Sequence, residues 1–165
     1  MTFRILSVAT IVAALGSMAA LGTPRVMPNA GARSAMSPVT YVATMKSSSE
    51  VPANASKGTG TATFSLDDTH LSFKITVAGL SGPATGAHIH VGAAGAAGGV
   101  VHGFTVNAVA DGTVAEGTID LKMHVSPTVS GDSLKVLLNN GNAYVNVHTA
   151  ANPGGEIRGQ LLVKK

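Results

Sequence analysis

Leu71-Ser72-Phe73-Lys74-Ile75-Thr76-Val77 alternates apolar and polar residues without a break. Successive side chains of an extended chain leave opposite faces, so Leu71, Phe73, Ile75 and Val77 share one face and Ser72, Lys74 and Thr76 the other. Such a segment belongs in an antiparallel sheet with one buried and one wet face. The same period runs upstream through Tyr41, Ala43 and Met45, and through Ala62, Phe64 and Leu66. Asp67-Asp68, between the second and third of these segments, has the chemistry of a short hairpin connection. Downstream, 87–91, 100–106, 114–124, 143–149 and 156–163 read as further strands, each bounded by Gly, Pro, Asn or Asp. One stretch, 132–139, reads as helix: Asp132 stands at a capping position, Leu134, Leu137 and Leu138 recur at helical spacing, and Gly141 follows. The expected fold is all-β, a single Greek-key antiparallel β-sandwich or barrel of about eight strands with one short helix.

Composition agrees with one packed domain. Of the 165 residues, 45% are hydrophobic and only 12% charged, the balance of a globular chain rather than a disordered one. Aromatic residues are few and tryptophan is absent, so the core must be built from Val, Ile, Leu, Ala and a few Phe. The formal charge of +3 comes from Arg4, Arg25 and Arg33. From Val39 onward basic and acidic residues are equal in number, which leaves no basic stripe for phosphates and argues against a nucleic-acid partner. With no cysteine there is no disulfide framework, thiolate metal site or thiol nucleophile.

Arg4 precedes an apolar run from Ile5 to Leu21, interrupted by Gly16 and Ser17 and followed by small residues and proline. This reads as a secretory signal over residues 1–22, with Gly22 or Ala32 as cleavage positions. An uncleaved anchor is the other reading, since the run approaches the ~20 residues that span a bilayer. Residues 23–38 mix Pro, Gly, Ser, Asn and Ala without apolar period and read as a flexible tether. The domain is expected over 39–165, in a secreted, periplasmic or cell-surface protein with no other membrane segment.

Three segments carry a family resemblance: Glu50-Val51-Pro52; Ala87-His88-Ile89-His90-Val91-Gly92; and Tyr144-Val145-Asn146-Val147-His148-Thr149 followed by Pro153-Gly154-Gly155-Glu156-Ile157-Arg158-Gly159-Gln160. In order and spacing the chain resembles the CHRD (chordin-type) domain family from about Tyr41 to Val163. The resemblance implies an extracellular β-sandwich module without an agreed catalytic activity, acting on an extracellular ligand or protein that the sequence does not identify.

The histidines offer more specific chemistry. His88 and His90 lie two apart in an expected strand, so their rings leave the same face with Cα atoms about 7 Å apart. His148 shares a face with Tyr144 and Asn146 in another strand, and His102 follows the glycine-rich loop 92–99. His88, His90, His148 and His102 are the candidate metal ligands. Neutral imidazoles suit copper or zinc better than calcium or magnesium, which prefer oxygen. The pattern is also similar to the copper half of Cu/Zn superoxide dismutases, but their long zinc loop and paired cysteines are missing, so that likeness stays at the level of fold. The alternative is structural: the same rings hydrogen-bond to carbonyls, Asn146, Thr149 or Glu156 and knit strands together. His70 and His124 fall at strand edges and read as exposed.

Other chemistries lack support. Gly92-Ala93-Ala94-Gly95-Ala96-Ala97-Gly98-Gly99 is not followed by Lys-Ser/Thr or by a helix, so it reads as a flexible connection able to move over the histidines, not as a phosphate loop. No serine lies in a nucleophile elbow and no carboxylate pair is placed for glycoside hydrolysis. Glu156 and Arg158, two apart, are positioned for an ion pair or a joint contact with His148.

Overall fold

The computed structural model describes residues 37–165; the signal expected over 1–22 and the tether up to residue 36 lie outside the described residues. The strands are β1 (Val39–Lys46), β2 (Thr59–Leu66), β3 (His70–Ala78), β4 (Ala84–Val91), β5 (Val100–Gly103), β6 (Gly112–Asp120), β7 (His124–Ser126), β8 (Val129–Ser130), β9 (Ala143–Thr149), β10 (Ile157–Gln160) and β11 (Leu162–Val163). Among the described residues a single α-helix, α1 (Gly131–Asn139), precedes β9. The all-β fold with one short helix is as expected. Nine strands form one antiparallel sheet, curled into a half-barrel, in the order β5-β4-β9-β10-β1-β2-β3-β6, with β11 also on β1; β7 and β8 pair separately.

The alternating segments pair in the register their pattern demands. Ala43 lies opposite Ala62, which in turn lies opposite Ile75, and Tyr41 opposite Phe64, which lies opposite Phe73, so one face of β1, β2 and β3 becomes the core. Asp67 closes the β2–β3 hairpin by accepting the backbone N–H groups of Thr69 at 2.8 Å and His70 at 2.7 Å. These bonds to the ionised form hold its carboxyl below the usual range. Phe64, Phe73 and Phe104 cluster inside, the last two with centroids 4.5 Å apart. Leu134 and Leu138 of α1 are buried in the same core, each adding roughly 2 kcal/mol by area.

Two expected strands divide. The 114–124 segment ends at Asp120, whose carboxylate turns back to the Lys122 N–H while Leu121 N–H bonds Thr69 O. The 156–163 segment separates at Leu161 into β10 and β11. The segment at 100–106 is a strand only to Gly103. Ser130, rather than Asp132, caps α1: its hydroxyl accepts the Ser133 N–H at 3.1 Å, and Asp132 sits in the first turn.

The decisive departure from simple alternation is β9. Its chemistry alternates, but six of its seven residues are buried. Ala143, Val145 and Val147 face the core, while Tyr144 and Asn146 on the outer face are covered by the chain segments around 92–99 and 50–55. A polar outer face under cover is where the site lies.

Candidate metal centre

β4 and β9 pair antiparallel with His88 opposite Asn146, His90 opposite Tyr144, and Gly86 opposite His148. This register puts His148 diagonally beside His88 on the outer face. Gly86 lies beside both rings: a Cβ there would make ordinary contact with them, 3.4 Å from His88 Cε1 and 3.9 Å from His148 Cδ2. Ring nitrogens of His88, His90 and His148 lie within 4.8 Å of one another.

Hydrogen bonding fixes how these rings present themselves. His90 Nδ1 is 2.9 Å from Gly98 O, and His148 Nδ1 is 3.0 Å from Pro153 O. A carbonyl only accepts, so in the neutral rings both Nδ1 atoms carry the proton and both Nε2 atoms carry lone pairs. His88 Nδ1 donates to His148 Nε2 at 3.0 Å. His90 Nε2 is buried with no hydrogen-bond partner. Burial is the main cause holding all three histidines below their ordinary pKa, and neighbouring charge adds to it: His148 and His90 act on His88, Arg158 on His90, and His90 on His148. The carbonyl bonds to His90 and His148 oppose the shift only in part. The cluster is thus neutral at pH 7, the state in which imidazole can ligate.

His102 lies elsewhere. It pairs with core-facing Ile89 rather than with His88 or His90. Its ring meets Phe104 edge-on at 5.3 Å, and its Nδ1 is 3.4 Å from Val125 O. The structure therefore brings three of the four candidate ligands together and leaves His102 aside, because the residue facing His88 across β5 is Gly103. His70 and His124 are exposed.

The glycine-rich loop, expected as a flexible connection, is hydrogen-bonded to the strands beneath it. Besides the His90 bond, Gly98 N–H donates to Tyr144 Oη at 3.1 Å, Arg158 Nη1 to Ala96 O at 3.1 Å, and Gln160 Nε2 to Gly92 O at 2.8 Å. Gly98 is needed for this: a Cβ there would sit 1.6 Å from Val91 O.

Glu156 and Arg158 do not pair. Glu156 is 0% exposed, and its carboxylate takes hydroxyl hydrogens from Ser56, Ser81 and Thr149 and the Ser81 N–H. Burial raises its pKa, but those bonds together outweigh it and leave the group at about 2. The Arg158 guanidinium, 4% exposed, lies 4.4 Å from the centre of the Tyr144 ring, which stacks on His90 with centroids 4.9 Å apart and planes 10° apart.

Sequence reasoning missed the role of Glu50. It is 8% exposed, and both its oxygens accept from Asn146 Nδ2 at 3.1 Å. Burial pushes its pKa up to about 7, even though the Arg158 charge and the Asn146 bond lower it. Asn146 Oδ1 is buried without a partner. The signal was the Glu50-Val51-Pro52 motif, but nothing in that tripeptide shows that β9 and residues 153–155 enclose its carboxylate.

A curled all-β domain with a covered polar face over β4, β9 and β10 is the class that fold and site define. The family model for the CHRD domain matches residues 41–161, and the chain belongs to that family. No curated protein matches it. Among the described residues, no helix is long and apolar enough to cross a membrane.

Proposed function

We propose that this chain is an exported, non-catalytic CHRD module whose ligand is a copper or zinc ion held by His88, His90 and His148. The observation that carries this reading is the orphaned Nε2 of His90: a buried lone pair, aligned by the Gly98 carbonyl, within reach of two further imidazoles. Leaving such an atom unsatisfied costs about 1–3 kcal/mol, and a metal ion removes that penalty. The set is all nitrogen, with no carboxylate among the three, which suits copper or zinc; by the Irving–Williams order Cu²⁺ binds more tightly than Zn²⁺. His90 and His148 would ligate through Nε2 and His88 through Nδ1, whose proton moves to Nε2 of the same ring as its bond to His148 opens. Three protein ligands leave a fourth position for water or a small ligand. Export rests on the signal read over residues 1–22 and on the extracellular setting that the CHRD family implies.

The bond from His88 Nδ1 to His148 Nε2 favours a second reading, in which the histidines only join β4 to β9. Isothermal titration with Zn²⁺ and Cu²⁺ at pH 7.5 separates the two. The metal reading expects binding, stabilisation of about 2.7 kcal/mol at a hundredfold excess over Kd, and loss of both when His88, His90 and His148 are all replaced by Ala. Absence of heat together with an unchanged melting temperature would refute it.

A further inference from the structure

Each of two ligand histidines is bonded through its second nitrogen to the backbone of a different loop, His90 to Gly98 in 92–99 and His148 to Pro153 in 150–155. Both loops lack apolar anchors of their own: residues 93–99 are exposed throughout, and so are Ala150, Ala151, Pro153 and Gly154. Their order depends on a few polar tethers, the condition under which a segment opens locally at little cost while the core stays closed. Resting on the metal-site reading above, we infer that the bound ion acts as a clamp that orders both loops and so sets the shape of the two clefts they line.

The physical route is short. A cation on Nε2 draws electron density from the ring and makes the opposite Nδ1–H a stronger donor, so each carbonyl bond strengthens when metal binds. One ion thereby tightens Gly98 and Pro153 together, although no hydrogen bond joins the two loops directly. Between the first loop and the 48–51 turn lies a cleft of about 310 Å³, with Ala94 and Gly95 on one side, Glu50 and Val51 on the other, and Arg158 and Gln160 at the base. Between the second loop and the Glu50–Asn54 segment lies another of about 320 Å³, which Asn152 and Pro153 help to line. Glu50 and Val51 belong to both clefts. Occupancy of the histidines therefore governs the shape of a surface centred on the Glu50-Val51-Pro52 turn.

Coupling of this kind is reciprocal: whatever loosens a loop weakens the metal by the same factor. Tyr144→Phe keeps the ring that stacks on His90 but removes the hydroxyl, whose partners are Gly98 N and O, not a ligand nitrogen.

Hydrogen exchange read by mass spectrometry tests the inference on the full domain, with Zn²⁺ as the redox-inert probe and calorimetry on the same samples. Zinc is expected to slow exchange in peptides covering 93–99 and 150–155 about tenfold while the Asp67–Thr69 hairpin is unchanged. Tyr144→Phe is expected to weaken zinc about tenfold and to lessen the protection of 93–99. Zinc heat without added protection in either loop overturns the clamp and leaves the metal site standing. Unchanged zinc affinity in a folded Tyr144→Phe protein also overturns it, and absence of zinc heat removes the metal site and the clamp together.

Discussion

Replacing Glu156 by Gln is expected to destabilise the domain by about 3 kcal/mol at pH 7, and the loss is expected to disappear in acid. The carboxylate is fully buried and accepts four hydrogen bonds, among them 2.6 Å contacts from Ser56 and Ser81 hydroxyls and a 2.7 Å contact from the Ser81 N–H. Charge-assisted bonds are worth roughly 1.5–3 kcal/mol each, but desolvation of the ion offsets most of their sum. The pKa gives the net. A carboxyl that ordinarily titrates near 4.5 and is held at about 2 binds its proton less readily in the folded state. At ~1.4 kcal/mol per unit, that difference contributes about 3 kcal/mol of stability above pH 4.5, lost as pH falls through 2. Glutamine keeps the shape but offers one acceptor oxygen instead of two and turns an NH₂ toward hydroxyls that were donating. Urea unfolding followed by far-UV circular dichroism, on both proteins at several pH values from 7 to 2, measures the gap. A variant within 0.5 kcal/mol of the parent at pH 7, or a gap that stays constant down to pH 2, would show that the carboxylate is not held by these bonds.

Glu50 is expected to behave with the opposite sign: its pKa is raised to about 7, so its contribution is full below the ordinary value of 4.5 and is lost as pH rises through 7. Glu50→Gln is accordingly expected to gain up to about 3 kcal/mol over the parent between pH 4.5 and pH 8, read as the difference between the two urea curves; a difference independent of pH would contradict the burial argument. Gly155→Ala is expected to cost about 2 kcal/mol or more, because Gly155 has φ +132° and an added Cβ would lie 2.6 Å from Asn146 Nδ2 and 2.9 Å from Glu50 Oε1. Gly154→Ala, with nothing within 4 Å of its added Cβ, is the matched control and is expected to stay within about 0.5 kcal/mol in thermal melts.

The core sheet was legible because period-two patterning is a local property. Leu71 to Val77 declares its own two faces, and its neighbours fit the register that those faces require. The convergence of His88 and His90 followed from the same period. His148 joins them only because β9 pairs with β4 so that Gly86 lies opposite it, a long-range register that neither strand encodes alone. His102 failed by the same logic: the β4–β5 register sets it opposite Ile89, on the core-facing side. Least legible was the covered face, since Glu50, Asn146 and Arg158 are residues that composition assigns to solvent. They are buried because turns distant in sequence fold over them, and patterning within one strand carries no record of what lies above it. The pairing expected between Glu156 and Arg158 failed because Glu156 precedes β10 and turns instead toward the hydroxyls of Ser56, Ser81 and Thr149.

The position of β10 between β9 and β1 has a bearing on how the chain reaches this state. The meander from β1 to β3 can zip up from neighbouring hairpins, and β4 can meet β9, but only residues 157–160 bridge the two groups within the sheet order. Until that late segment arrives, both halves carry an unsatisfied strand edge, so closure waits for contacts spanning more than a hundred residues, such as Lys46 with Arg158. Closure of the full sheet is thus expected to come late in folding, and a chain truncated before Ile157 would remain open and vulnerable to edge-to-edge association.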